Sequence, residues 1–130
     1  MSSRTDLVHR YQAYIDVLNR RDWPALGDFV AEDATHNGRP LGLAGYRAML
    51  EQDVRDIPDL HFEIELQVCE PPHLAARLRF HCTPVGRFMG LEVSGRTVDF
   101  AENVFYTWRD GRIADVRSVI DKAAIEAQLR

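Results

Sequence analysis

The chain has 130 residues, 45% of them apolar and 28% charged, which is the composition of a globular protein with one core of ordinary size. Its net charge is −4, with both signs interleaved and no basic block, and this speaks against a nucleic-acid surface. The start, Met1-Ser2-Ser3-Arg4-Thr5-Asp6, is polar, with no signal-peptide core and no apolar run near 20 residues. A single domain over residues 1–130, a cytoplasmic location and no membrane partner are therefore expected.

Leu7, Tyr11, Tyr14, Ile15 and Leu18 recur at helical spacing and predict a first helix from Asp6 to Arg20. Asp22-Trp23-Pro24 reads as a helix start with Asp22 as N-cap, opening a short second helix that ends near Val30. A brief extended segment over Ala34 to Asn37 follows, then the turn-rich Gly38 to Gly42. A third helix runs from Leu43 to Val54 with Tyr46, Met49 and Leu50 on one side.

The β half opens after Pro58-Asp59. Leu60, Phe62, Ile64, Leu66 and Val68 alternate strictly, as do Leu74, Ala76, Leu78, Phe80 and Cys82. Keeping both sets on one face calls for an odd-length loop such as Pro71-Pro72-His73. In that arrangement Cys69 and Cys82 lie on opposite faces at opposite ends of the hairpin, so both are expected to be reduced. Thr83 to Arg96 is a long connection rich in glycine. Its Phe88-Met89 pair is a candidate lining of a site, since long ordered loops often serve that purpose.

The clearest signal is the final hairpin. Two β-prone runs flank Asp110-Gly111, which fits a type I′ turn. A regular ladder from that turn pairs Arg109 with Arg112, Trp108 with Ile113, Tyr106 with Asp115, Val104 with Arg117, Glu102 with Val119 and Phe100 with Asp121. It puts Glu102, Arg117 and Asp121 on the bulky inner face, with Glu102 diagonal to both others at roughly 7–8 Å between Cα atoms. Buried charges are costly unless paired, so this face reads as a pocket or as a wrong register. After Asp121 a short terminal helix closes an α+β chain: helices first, then an antiparallel sheet.

The five histidines, His9, His36, His61, His73 and His81, show no metal-ligand spacing, and no metal is expected. No glycine-rich phosphate loop follows a strand, and Ser94 lacks a nucleophile motif. His36 and Asn37 are either turn formers or inward-pointing polar groups. Asp121 has two readings. As a buried carboxyl it would have a raised pKa suited to a general acid or base; as the residue before Lys122-Ala123-Ala124 it is a helix N-cap, which spacing alone favours. Glu102 with Arg117 also reads as a plain ion pair.

Four segments together resemble the SnoaL-like polyketide cyclase or ester cyclase family of the nuclear-transport-factor-2-like superfamily. They are His36-Asn37 with Gly45-Tyr46-Arg47, Pro58-Asp59-Leu60-His61, Gly86-Arg87-Phe88-Met89-Gly90 with Ser94 to Val98, and Asp110-Gly111-Arg112-Ile113 through Asp121 to Gln128-Leu129. The resemblance implies a cone: N-terminal helices on a strongly curved antiparallel sheet around an apolar cavity. It places the family's acid/base aspartate on Asp121, which removes a proton next to a carbonyl without metal or cofactor. His36, Asn37 and Tyr14 are then candidate donors to the developing enolate, with Glu102 and Arg117 tuning the site. A small-molecule ligand and a homodimer are further implications. Two departures stand out: Cys82-Thr83-Pro84 where many relatives have Gly-Thr-His, and Arg117 where relatives usually have tryptophan. The fold also serves binding and dimerisation modules and epoxide hydrolases, and in the latter reading Glu102, Arg117 and Asp121 would activate water.

Overall fold

The computed structural model describes residues 3–130. Helix α1 (Arg4–Arg20) starts at a capping box, in which the Asp6 N–H donates to Ser3 Oγ at 3.1 Å and the Ser3 N–H donates to the Asp6 carboxylate. It ends at Arg21, which takes the left-handed conformation with φ 57° and bonds back to Val17 and Leu18. The apolar stripe expected from the spacing, Leu7 to Leu18, is buried. The expected second helix is a single 3-10 segment, Trp23–Asp28, and Asp22 makes no side-chain cap. It stops before Val30 because strand β1 (Val30–His36) begins there, earlier than the extended segment expected at Ala34. Helix α2 (Gly42–Asp56) slightly exceeds its expected span.

Five strands form the main sheet: β1, β2 (Glu63–Glu70), β3 (His73–Cys82), β6 (Val98–Arg109) and β7 (Arg112–Ile120), in the order β1-β7-β6-β3-β2. All neighbours are antiparallel except β1, which lies parallel to β7. Two short strands, β4 (Arg87–Phe88) and β5 (Leu91–Glu92), form a hairpin inside the long Thr83 to Arg96 connection. The inner face of the sheet and the apolar sides of α1 and α2 enclose one contiguous core. Helix α3 (Lys122–Leu129) returns over the start of β6. Gln128 there bonds both the N–H and the C=O of Asp99, and Arg96 donates to the last carbonyls of the helix. No helix among the described residues is long and apolar enough to cross a membrane.

Two β-bulges correct the expected registers. In β2 the ladder shifts at Glu65: Ile64 faces Leu78, but Leu66 faces Arg77. The extra residue turns Gln67 and Cys69 inward and leaves Leu66 and Val68 exposed on the outer face. The connecting loop is then the two residues Pro71-Pro72, since Glu70 already pairs with His73. Cys69, opposite Leu74, thus shares a face with Cys82, contrary to expectation, although the two remain at opposite ends and both are free.

The second bulge lies just past the Asp110-Gly111 turn. Arg109 pairs with Arg112 and Trp108 with Ile113 as expected, but Thr107 then pairs with Asp115, so Ala114 is the extra residue. Every later pair shifts by one: Tyr106 with Val116, Phe105 with Arg117, Val104 with Ser118, Glu102 with Ile120. Val116, Ser118 and Ile120 face inward, while Asp115, Arg117 and Val119 face outward. The physical gain is plain, because the regular ladder would have buried Asp115, Arg117 and Asp121 beside Glu102.

Candidate active site

The concave side of the sheet and the inner sides of α1 and α2 leave a cavity of about 260 Å³. Its polar groups come from five elements. Tyr14 enters from α1, His36 from the end of β1, Tyr46 and Asp53 from α2, Glu102 and Tyr106 from β6, and Ser118 from β7. Helical spacing explains α2: Tyr46, Met49, Leu50 and Asp53 lie on one stripe, so Asp53 is carried into the interior by the same face that anchors the helix. Apart from Asn37 in the turn after β1, the remaining wall is apolar, with Leu18, Phe62, Leu78 and Val104 among its members. A side chamber of about 60 Å³ adjoins it, sharing Asp53, Phe62, Glu102 and Ile120 and walled further by Phe80, Phe88 and Phe100.

Burial sets the protonation states. The Glu102 carboxyl is pushed up to about 7, first by loss of water and then by the neighbouring Asp53 charge, while a bond with Ser118 pulls the other way. Asp53 is pushed up to about 6 by burial and by Asp56. His36 is shifted down, chiefly by burial and next by Arg39, so its imidazole is neutral near pH 7. Its Nε2 lies 3.4 Å from Ser118 Oγ, and its Nδ1 is buried without a partner. The hydroxyls of Tyr14 and Tyr46 are 2.7 Å apart and both are raised above the ordinary tyrosine range by burial, so they remain protonated donors. Tyr11 and Tyr106 form a second hydroxyl pair at 3.1 Å. Together these groups provide a carboxyl that titrates near neutrality, neutral O–H donors and a largely apolar surround.

The model of the SnoaL-like polyketide cyclase family matches residues 8–129. The chain belongs to that family. A SnoaL-like polyketide cyclase from Agrobacterium tumefaciens is 51% identical over the whole of both chains and superposes with a TM-score of 0.94. TsrD from Streptomyces laurentii, 22% identical over 99% of this chain and 98% of its own, superposes with a TM-score of 0.85 and shows the shared fold. No protein with a curated description matches the sequence. The cone of the nuclear-transport-factor-2-like superfamily, expected from four short segments, is thus the fold of this chain.

Several expected site residues of this SnoaL-like chain do line the cavity: Tyr14, His36, Asn37, Glu102 and Met89. Phe88 lines the side chamber, half-buried against Phe100. Asn37 also has a structural task. In the left-handed region at φ 50°, it takes the Ser118 N–H on its carbonyl oxygen at 2.8 Å and donates to the Ser118 C=O, extending the β1–β7 pairing.

Two placements are corrected. Asp121 does not reach the inner face: the Ala114 bulge ends β7 on Ile120, and Asp121 is exposed, its Oδ1 accepting the Ala124 N–H at 3.1 Å as the N-cap of α3. Arg117 points outward with its side chain 72% exposed and donates to Asp115 at 3.2 Å. Glu102, Arg117 and Asp121 therefore do not meet, and the water-activating triad of an epoxide hydrolase is not assembled. The tryptophan-to-arginine departure affects the outer surface instead of the pocket. Asp53 and Ser118 were not anticipated, though the α2 stripe running through Tyr46, Met49 and Leu50 to position 53 was a usable signal for the first.

Proposed function

We propose that the chain is a cofactor-independent acid/base enzyme that removes a proton next to a carbonyl of a small, mostly apolar compound, as a cyclase or isomerase. Glu102 is the base. The observation that carries this reading is a carboxyl raised to about 7 in the same cavity as the protonated Tyr14–Tyr46 pair. The proton on the α-carbon passes to the Glu102 carboxylate, and the C–H electron pair becomes an enolate. Its oxygen is stabilised by Tyr46, Tyr14 or the His36 imidazole, donors already fixed in place. The enolate carbon then attacks a second carbonyl within the same molecule, closing a ring, and the alkoxide that forms takes the proton back from Glu102; in an isomerase, a conjugated dienolate takes that proton at its far carbon instead. The family membership supports the cyclase outcome, and the placement of Glu102 supports this residue over Asp121 as the base.

The test is hydrogen–deuterium exchange at the α-carbon of a panel of small ketones and β-keto esters, followed by NMR. Glu102→Gln is expected to lower the exchange rate by about 10²-fold or more, with Tyr46→Phe also slowing it. Asp121→Asn is expected to leave it near the wild-type rate. Wild-type exchange by Glu102→Gln, or its loss in Asp121→Asn, overturns the assignment.

The homodimer belongs to the same proposal. Leu66, Val68, Phe105 and Val119 are each 62–68% exposed on the outer sheet face. They occupy two adjacent cross-strand rows, Val68-Ala75-Phe105-Arg117 and Leu66-Arg77-Asn103-Val119. Exposed apolar side chains grouped in this way, though interrupted by Arg77, Asn103 and Arg117, support an isologous dimer of two copies about a two-fold axis.

A further inference from the structure

The side chamber contains more chemistry than an apolar carbonyl compound requires. Beside the aliphatic Ile57, Leu60 and Ile120, its walls include four phenylalanine rings in contact: Phe62 and Phe80 at 5.4 Å between centroids, Phe80 and Phe100 at 5.2 Å, Phe88 and Phe100 at 5.7 Å. The carboxyls of Asp53 and Glu102 line both this chamber and the main cavity, and thus mark the passage between them. No lysine or arginine lines either space, and the one cation expected there, Arg117, is on the other side of the sheet. Two carboxyls whose charged forms are disfavoured therefore share one half-buried site, and among the described residues no cation offsets them.

We propose that the substrate carries a protonated amine, and that its ammonium head enters the side chamber between the Asp53 and Glu102 carboxyls and the rings of Phe80, Phe88 and Phe100. Three features fit this occupant and no other small group as well. Aromatic faces attract a cation through their quadrupole, and this attraction grows where water is excluded. The carboxyls gain the counter-charge that the fold withholds from them. The chamber, about 60 Å³, also has room for an ammonium carbon–nitrogen head while the rest of the ligand stays in the main cavity. A neutral apolar group would fill the same space but desolvate both carboxyls further, and a carboxylate would add a third like charge. The other titratable groups facing the cavity do not compete: His36 on β1 is neutral, and Tyr14 on α1, Tyr46 on α2 and Tyr106 on β6 stay protonated.

This deepens the acid/base reading and rests on it only for where the carbonyl lies: the substrate becomes an amino-carbonyl compound, its carbonyl toward Tyr14 and Tyr46 and its amine toward Asp53. The rule is one of specificity, with cations preferred over neutral compounds and anions excluded.

Calorimetry on the intact protein with three probes of one shape tests it: cyclohexylmethylammonium, cyclohexylmethanol and cyclohexanecarboxylate. At pH 8 the ammonium is expected to bind at least tenfold more tightly than the alcohol, with the carboxylate weakest. The preference should shrink at pH 5.5, where both carboxyls hold protons. Asp53→Asn and Glu102→Gln should each reduce it severalfold, and Phe80→Leu should weaken the ammonium more than the alcohol. Circular dichroism of each variant confirms that it is folded. Equal or tighter binding of the alcohol or the carboxylate overturns the proposal, as does binding of none of the three, or an ammonium preference that survives both carboxyl substitutions. Deuterium exchange of neutral ketones that persists in the face of such a result removes the ammonium subsite and leaves the acid/base reading standing.

Discussion

The substitution Glu102→Gln separates what the fold needs from what the chemistry needs. Glu102 rises from an ordinary 4.5 to about 7 in the folded chain, because burial and Asp53 disfavour its charge. The folded state therefore binds this proton more tightly than the unfolded chain does. The sign follows: stability falls as pH rises from about 4.5 to about 7, and is flat in this term below and above that window. A difference of this size corresponds to about 3 kcal/mol, at roughly 1.4 kcal/mol per pH unit. Glutamine keeps the shape and removes the charge, so the variant should match the wild type near pH 4 and exceed it at pH 8 by up to about 3 kcal/mol. For a chain of this length that corresponds to a rise in melting temperature on the order of 10 °C. Urea titrations at half-unit steps from pH 4 to 8.5 read the whole curve. Asp53, pushed up to about 6, has its own slope below pH 6, so the diagnostic interval is pH 6 to 7.5. If Glu102→Gln keeps the wild-type slope across that interval, the carboxyl does not titrate near neutrality and its candidacy as the base falls with it.

Two further substitutions probe the corrected placements. Asp121→Ala removes the cap on α3, where Oδ1 accepts the Ala124 N–H, and should cost about 1 kcal/mol by thermal melting, while Asp121→Asn, itself a good cap, should be close to neutral. A loss well above this in Asp121→Asn would mean that the carboxylate serves some purpose beyond capping. Phe105→Glu places a charge at the centre of the exposed outer rows and should leave the melting temperature within a few degrees while shifting a dimer to a monomer in size-exclusion chromatography with light scattering. An unchanged mass in dilute solution would remove the outer face as the subunit contact.

The helices and the turns were written locally. The stripe from Leu7 to Leu18, the Asp110-Gly111 dipeptide and the alternation of Leu74 to Cys82 are short-range signals, and each produced its element where expected. Four short segments also sufficed for the family, because they mark places where the cone needs particular turns and caps. Tyr14 and Glu102 reached the cavity because they lie on stretches whose facing is set by a helix period or by strand position ahead of the β6–β7 bulge, while His36 and Asn37 enter it at the end of β1. What the chain alone did not disclose was where a strand gains an extra residue. A bulge costs little locally, yet it reverses the facing of everything beyond it. At Ala114 the alternation itself held a clue, since Ile113, Val116 and Ile120 fit a broken period, and the break spares the interior Asp115, Arg117 and Asp121. At Glu65 the break runs against the local pattern, turning Leu66 and Val68 to the outside, and no window of sequence contains the reason. Local propensity and spacing determined which segments are helix, strand and turn; the sheet as a whole decided which side chains meet in the cavity, because side-chain facing depends on the register of the entire ladder and on how many charges its inner face must bury.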